Sequence, residues 1–170
     1  MPSSFGNAAE LAGFFLAHAV WCVSDKAGGP LVPFVGMSTK DGKQTLTRFV
    51  SEEMEEGVAQ ARKAVEASAD KALAAVVVYD GYITLADGVK RDALLAELTE
   101  YGAPNRTLQI ALPYRSPKAK EGFAVFKPKF VGASGLDQAE LQAAGADLFR
   151  GVDAHEEGVK VWNAHLDQSL

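Results

Sequence analysis

The run from Asn7 to Val23 constrains the fold more than any other stretch of the chain. Leu11, Phe15, His18 and Cys22 recur at i, i+4, i+7 and i+11, and Phe14, Ala17 and Trp21 line an adjacent stripe. A helix that is apolar over most of its circumference must be covered on several sides, so the spacing predicts a helix central to the core. Asn7, with Glu10 three residues on, reads as its capping box. Its apolar part, Leu11 to Val23, is too short to span a bilayer, contains His18 and follows Glu10 with no Lys or Arg upstream, so it is read as neither a membrane segment nor a secretory signal. Gly28-Gly29-Pro30 marks the loop that closes it.

Downstream the pattern changes from helical to alternating. Residues 31–37 and 45–50 flank Asp41-Gly42 and predict a first hairpin. Ser51 stands where it can cap a second helix, with Glu52 and Glu53 in the first turn and Met54, Val58, Ala61 and Val65 as a narrow buried stripe. Residues 74–79 and 82–85 flank Asp80-Gly81, a strong short hairpin signal, which would make Tyr79 and Tyr82 a cross-strand pair. Asp87-Gly88 marks a further turn. Residues 90–101 fit helix and strand alike, and the dense turns on either side favour a strand. Residues 107–114 and 123–131 are further strands, with Pro128 at an edge or an end and Gly132 to Gly135 breaking the sheet.

The tail is helical. Asp137 and Glu140 form a capping box, Leu136 is placed to staple against Leu141, and Gly151 ends that helix. Asp153 and Glu156 suggest another box, opening a last helix docked by Val159, Trp162 and Leu166. The expected architecture is α+β: a largely antiparallel sheet of hairpins and meander, a buried N-terminal helix, a surface helix and a C-terminal helical tail. Residues 1–170 read as one globular domain with the segment 136–170 docked on it.

Composition narrows the function classes. The chain of 170 residues is 48% hydrophobic and 23% charged, so a packed core is expected rather than disorder. A net charge of −5 opposes attraction to nucleic acid or to an anionic membrane. The single cysteine, Cys22, rules out an internal disulfide and suits a reducing, cytoplasmic setting.

Candidate chemistry is sparse. Nucleotide-binding glycine fingerprints are absent. Gly132-Ala133-Ser134-Gly135 lacks the spacing of a nucleophile elbow and reads as a turn, and Ser68-Ala69-Asp70-Lys71 lacks the companion elements of serine acyl-enzymes. Asn105-Arg106-Thr107 is a glycosylation sequon only in form. The sharpest pair is His18 with Cys22, which one helical turn places on the same face, where imidazole could favour thiolate. Burial of both within the core is the competing reading. His155 and His165, ten residues apart, lie too far along the helix axis to share an ion, and no metal or cofactor is called for. Arg115, Lys118 and Lys120, with Lys127 and Lys129, gather around one loop as an anion-binding rim or as solvated edge lysines.

These features balance against an enzyme. They favour a protein-interaction or accessory module that binds another protein or a second copy of itself as a homodimer. The alternative is a small enzyme or ligand-binding protein with a pocket between the first helix and the sheet, using Cys22 and His18 or a rim of Arg115, Lys118 and Lys120.

Overall fold

The computed structural model describes residues 5–25 and 30–170, so Gly28 and Gly29 of the loop expected after the first helix lie outside the described residues. The order is α1 (Gly6–Val23), β1 (Phe34–Thr39), β2 (Gln44–Arg48), α2 (Met54–Glu66), β3 (Ala72–Thr84), β4 (Lys90–Glu100), β5 (Arg106–Arg115), β6 (Ala124–Val125), β7 (Lys129–Ser134), α3 (Gln138–Ala154) and α4 (Glu156–Ala164). The fold is α+β with an antiparallel sheet, as the patterning predicts. The strands run β2-β1-β3-β4-β5, and the outer edge of β5 pairs with β7 along its first part and with β6 at its end.

The all-round apolarity of α1 has a direct cause. The helix is sandwiched between one face of the sheet and a second layer made of α3 and α4, with Ala8, Ala12, Leu16, Ala19 and Val20 buried. The sheet meets it with Val76 and Val78 of β3, Leu94, Ala96 and Leu98 of β4, and Leu108, Ile110 and Leu112 of β5. Each large aliphatic side chain withdrawn from water here contributes about 1.5–3 kcal/mol. On the opposite face α2 covers β1 and β3 with Ala61 and Val65 against Val35, Met37 and Val77. Trp21, in the second stripe of α1, remains 44% exposed.

Helix contact with α1 is unusually close. A Cβ on Gly13 would lie 1.8 Å from the Leu148 carbonyl oxygen, one on Gly151 1.9 Å from that of Glu10, and one on Gly158 2.4 Å from that of Ala17. Gly151 therefore lies inside α3 as a packing glycine, and the expected helix end is displaced to Ala154.

Several local expectations are overturned. Phe5, not Asn7, is the N-cap of α1, and no side chain bonds there. Ser51 does not cap α2; its hydroxyl donates to the Glu53 carbonyl, and Glu53 is the N-cap. Asp80-Gly81 is not a turn: β3 runs straight through it, pairing Asp80 with Leu94 and Gly81 with Ala93, and the chain reverses at Asp87-Gly88, where Gly88 has φ 76°. Tyr79 and Tyr82 are consequently on one strand, opposite Leu95 and Asp92. Residues 123–131 split around Pro128 into β6 and β7, and β7 continues through Gly132 to Ser134. The Asp137–Glu140 capping box is present, whereas α4 is capped by His155 rather than Asp153. Leu166 lies beyond α4, bridged in parallel to Val125. The segment 90–101 is strand, as its flanking turns imply.

Candidate functional site

Strand length and helix length do not match, and the mismatch opens a cleft. The 18 residues of α1 extend about 27 Å. The 13 residues of β3 extend about 43 Å, so strands run on past the end of the helix. Side chains alternate along a strand, so the face that offers Val76 and Val78 to α1 continues with Asp80 and Tyr82. The same row on β4 ends in Asp92 and Lys90, and on β5 in Tyr114. Where the helix stops, three adjacent strands turn polar together.

Above this floor lies a cavity of about 670 Å³, walled by the 115–126 segment and by Asp167, Ser169 and Leu170 at the C-terminus. A smaller space of about 190 Å³, shared through Asp92, Tyr114 and Ser116, continues over Asp80 toward Asp25, Pro30 and Lys118, and it is this space rather than the larger one that Asp80 lines. Tyr114, only 7% exposed, donates its hydroxyl to both carboxylate oxygens of Asp80 at 2.8 Å. Burial raises the Asp80 carboxyl, the Tyr114 hydrogen bond opposes that, and the nearby Asp92 raises it further. Burial and the Asp80 charge likewise push the Tyr114 hydroxyl up. Titratable groups shifted by desolvation and by named partners inside a concavity are a physical signature of functional sites.

The other polar groups of the cleft have definite partners. Arg91 bonds both oxygens of Asp87 at 3.0 and 2.7 Å. Arg115 donates to the Gly122 carbonyl at 2.7 Å, and Lys90 sets its ammonium 4.2 Å from the centroid of the Tyr82 ring. Asp92 makes no hydrogen bond or ion pair among the described residues. Of the basic candidates, Arg115 lines the larger space and Lys118 the smaller, while Lys120 is exposed outside both.

His18 and Cys22 lie elsewhere, on a pocket of about 180 Å³ between α1 and β1 that also includes Phe34 and Arg48. Burial pushes the thiol of Cys22 up, with Arg48 pulling the other way. The partner of His18 is His155, 137 residues on: His18 Nδ1 and His155 Nε2 are 3.1 Å apart. The tautomers follow from the cap. His155 Nδ1 accepts the Gly158 N–H at 2.8 Å, so its proton sits on Nε2 and is donated to His18 Nδ1. His18 therefore carries its proton on Nε2, which is buried without a partner among the described residues. Burial lowers both imidazoles, and each ring is a poor host for a second proton. The capping bond also opposes a metal between the rings, since ligation through His155 Nε2 would force a proton onto Nδ1 against the Gly158 N–H. Among the described residues no group of three or more His, Cys, Asp or Glu could hold a metal ion.

His165 is exposed, stacked edge-on to Phe123. Ser68 is buried at the end of α2 with its hydroxyl given to the Ala64 carbonyl, and Gly135, at φ 74°, turns the chain from β7 toward α3. No described helix is long and apolar enough to cross a membrane. Comparison with known proteins found no matching family model, no matching curated protein and no matching solved structure.

The sequence reading missed Asp80, Asp92, Tyr82, Lys90 and Tyr114. A signal existed: Asp80 ends the continuous apolar run Ala72 to Tyr79, and its Asp-Gly pairing mimics a turn.

Proposed function

We propose that the chain is a ligand-binding protein, acting as one globular unit over residues 1–170 in a reducing, cytoplasmic setting, with its site in the cleft beyond the end of α1. The observation that carries this is the coordinated change from apolar to polar on the α1 face of β3, β4 and β5 at Asp80, Asp92 and Tyr114: Asp92 and Tyr114 line a cavity of about 670 Å³, and all three line the smaller space that adjoins it. That volume falls in the range of about 300–1,000 Å³ of small-molecule sites. A polar group costs stability when it is drawn from water, so three of them at the margin of a core are best explained by something they hold. The test is amide chemical-shift mapping against a set of small polar fragments. Shifts centred on residues 80–92, 113–121 and 167–170 support the reading; fragments that bind only elsewhere, or not at all, overturn it.

A second reading, a protein-interaction module that pairs with itself, draws on a different surface. Pro128, Phe130, Leu148 and Phe149 line an apolar groove of about 310 Å³ between β7 and α3, and Phe130 and Phe149 are exposed. Sedimentation of the wild type and of Phe130→Ser separates the two: a dimer lost in the variant favours this reading, and a monomer in both removes it.

A further inference from the structure

We infer that the ligand of the cleft carries a compact alkylammonium group, seated on the Tyr82 ring beside Asp92 in the place now held by the Lys90 side chain. The inference rests on the cleft being a ligand site and concerns the chemistry of that ligand.

Donors and acceptors in the cleft do not balance. The cationic side chains that line the larger space are engaged within the protein: Arg91 with Asp87, Arg115 with the carbonyls of Gly122 and Glu121, and Lys90 with an aromatic face, while Lys118 lines only the smaller space. Acceptors are in excess. Asp80, in the adjoining smaller space, receives the Tyr114 hydroxyl and the Gly81 backbone N–H, which leaves lone pairs free, and Asp92 receives no hydrogen bond among the described residues. A carboxylate has room for about four donated bonds. The bound group that complements this floor brings several donors and positive charge, which describes an ammonium with its three N–H bonds.

The Tyr82 ring adds a face for a cation. Tyr82 is 63% exposed and stands directly opposite Asp92 in the β3–β4 register. Directly opposed residues place their Cβ atoms about 4.5–5.5 Å apart, so one cation can meet the ring face and the carboxylate together. The ring already holds a cation, because Lys90, two residues before Asp92 on the same face of β4, lays its ammonium over it without forming an ion pair among the described residues. Lys90 thus occupies the subsite as an internal stand-in that a ligand displaces. An anionic ligand has weaker support: Asp87 neutralises Arg91, and Asp92, Glu121 and Asp167 line the same cleft, so the local field adds to the −5 of the whole chain.

The experiment is an amide-shift titration of the full chain with n-butylammonium, butyrate and 1-butanol, repeated on Lys90→Ala, Asp92→Asn and Tyr82→Leu, with each variant's fold confirmed by its thermal transition. Butylammonium should shift the amides of Tyr82 and Asp92 in the wild type. It should bind several-fold more tightly to Lys90→Ala, which vacates the ring, and about tenfold more weakly to Asp92→Asn, which loses a charge-assisted contact. Butyrate binding in the cleft without butylammonium would overturn the ammonium assignment and leave the ligand site standing. Amine binding indifferent to both Asp92→Asn and Tyr82→Leu would also overturn it. Binding of none of the three probes in the cleft would overturn the ligand site itself along with its chemistry.

Discussion

Gly151→Ala tests how closely α3 packs on α1 in the three-layer core. The new Cβ would lie 1.9 Å from the Glu10 carbonyl oxygen and 2.8 Å from both the carbonyl carbon of Glu10 and the amide nitrogen of Phe14. All three atoms are backbone, so no side chain can swing aside, and α1 and α3 would have to part by about 1 Å to reach even the 3.0 Å floor of real Cβ contacts. A gap of about 0.5–1 Å forfeits a quarter to a half of the dispersion attraction of each facing atom pair. The Leu148 and Val152 side chains, both buried in this layer, would lose part of their contacts. Overpacking of this kind costs about 3 kcal/mol at the upper end of its usual range, and the helix propensity of Ala over Gly returns about 1 kcal/mol, for a net loss of about 2 kcal/mol. For a chain of this size that lowers Tm by about 4–8 °C, readable by calorimetry. Gly145 on the same helix is the control, because a Cβ there meets nothing within 4 Å. Gly145→Ala should gain about 0.5–1 kcal/mol and raise Tm slightly. Gly13→Ala meets the Leu148 carbonyl oxygen across the same crossing, so the double variant Gly13→Ala/Gly151→Ala should cost clearly less than the sum of the two singles, since one separation relieves both contacts. A Gly151→Ala protein as stable as Gly145→Ala, or strict additivity of the double variant, would refute the reasoning.

Tyr114→Phe should cost about 1–3 kcal/mol by removing the hydroxyl donor of the Asp80 carboxylate, and Tyr114→Phe/Asp80→Leu should recover much of that; a denaturant series on the single and double variants measures it. The two histidines set a pH dependence: both folded-state values lie below the ordinary value of 6.5, so the unfolded chain binds the proton more tightly and stability falls as pH drops below about 6.5 toward the lowered folded values. His155→Asn, which retains a side-chain acceptor for the α4 cap, should flatten that slope in denaturant midpoints between pH 7 and 5; an unchanged slope would remove the pair as its source. Alkylation of Cys22 in the native protein should have a midpoint above the free-thiol value of about 8.5, and a lower midpoint would restore it as a nucleophile activated by His18.

Much of the architecture could be read from the chain because its signals were local or periodic. The apolar girth of α1, the alternation at 107–112 and the Asp137–Glu140 box each depend on residues within a few positions of one another. The errors fell where two local signals were equivalent. Asp80-Gly81 and Asp87-Gly88 offer the same turn chemistry, and only the tertiary pairing of Asp80 with Leu94 and Gly81 with Ala93 places the reversal at the second. His155 as the α4 cap was hidden for another reason: histidine is outside the usual capping set, and its other nitrogen is positioned by His18, 137 residues away.

The candidate site arises from the same mismatch that misled the turn assignment. A β3 that reversed at Asp80-Gly81 would end close to the end of α1, and the sheet would carry no overhang to form a floor. Because β3 continues to Thr84 and β4 begins at Lys90, Asp80, Tyr82, Asp92 and Tyr114 extend a face whose earlier members are Val76, Val78, Leu94 and Leu112. Apolar residues at those four positions would present an uncovered patch past the helix end, and such patches promote association. Tyrosine and aspartate keep the overhang wet. Solvation alone, however, does not require Tyr114 to be 7% exposed with its hydroxyl given wholly to Asp80. A polar pair held that far inside the margin of the core costs desolvation which surface aspartates and tyrosines would avoid, and that cost is what separates a built cleft floor from a merely solvated sheet end.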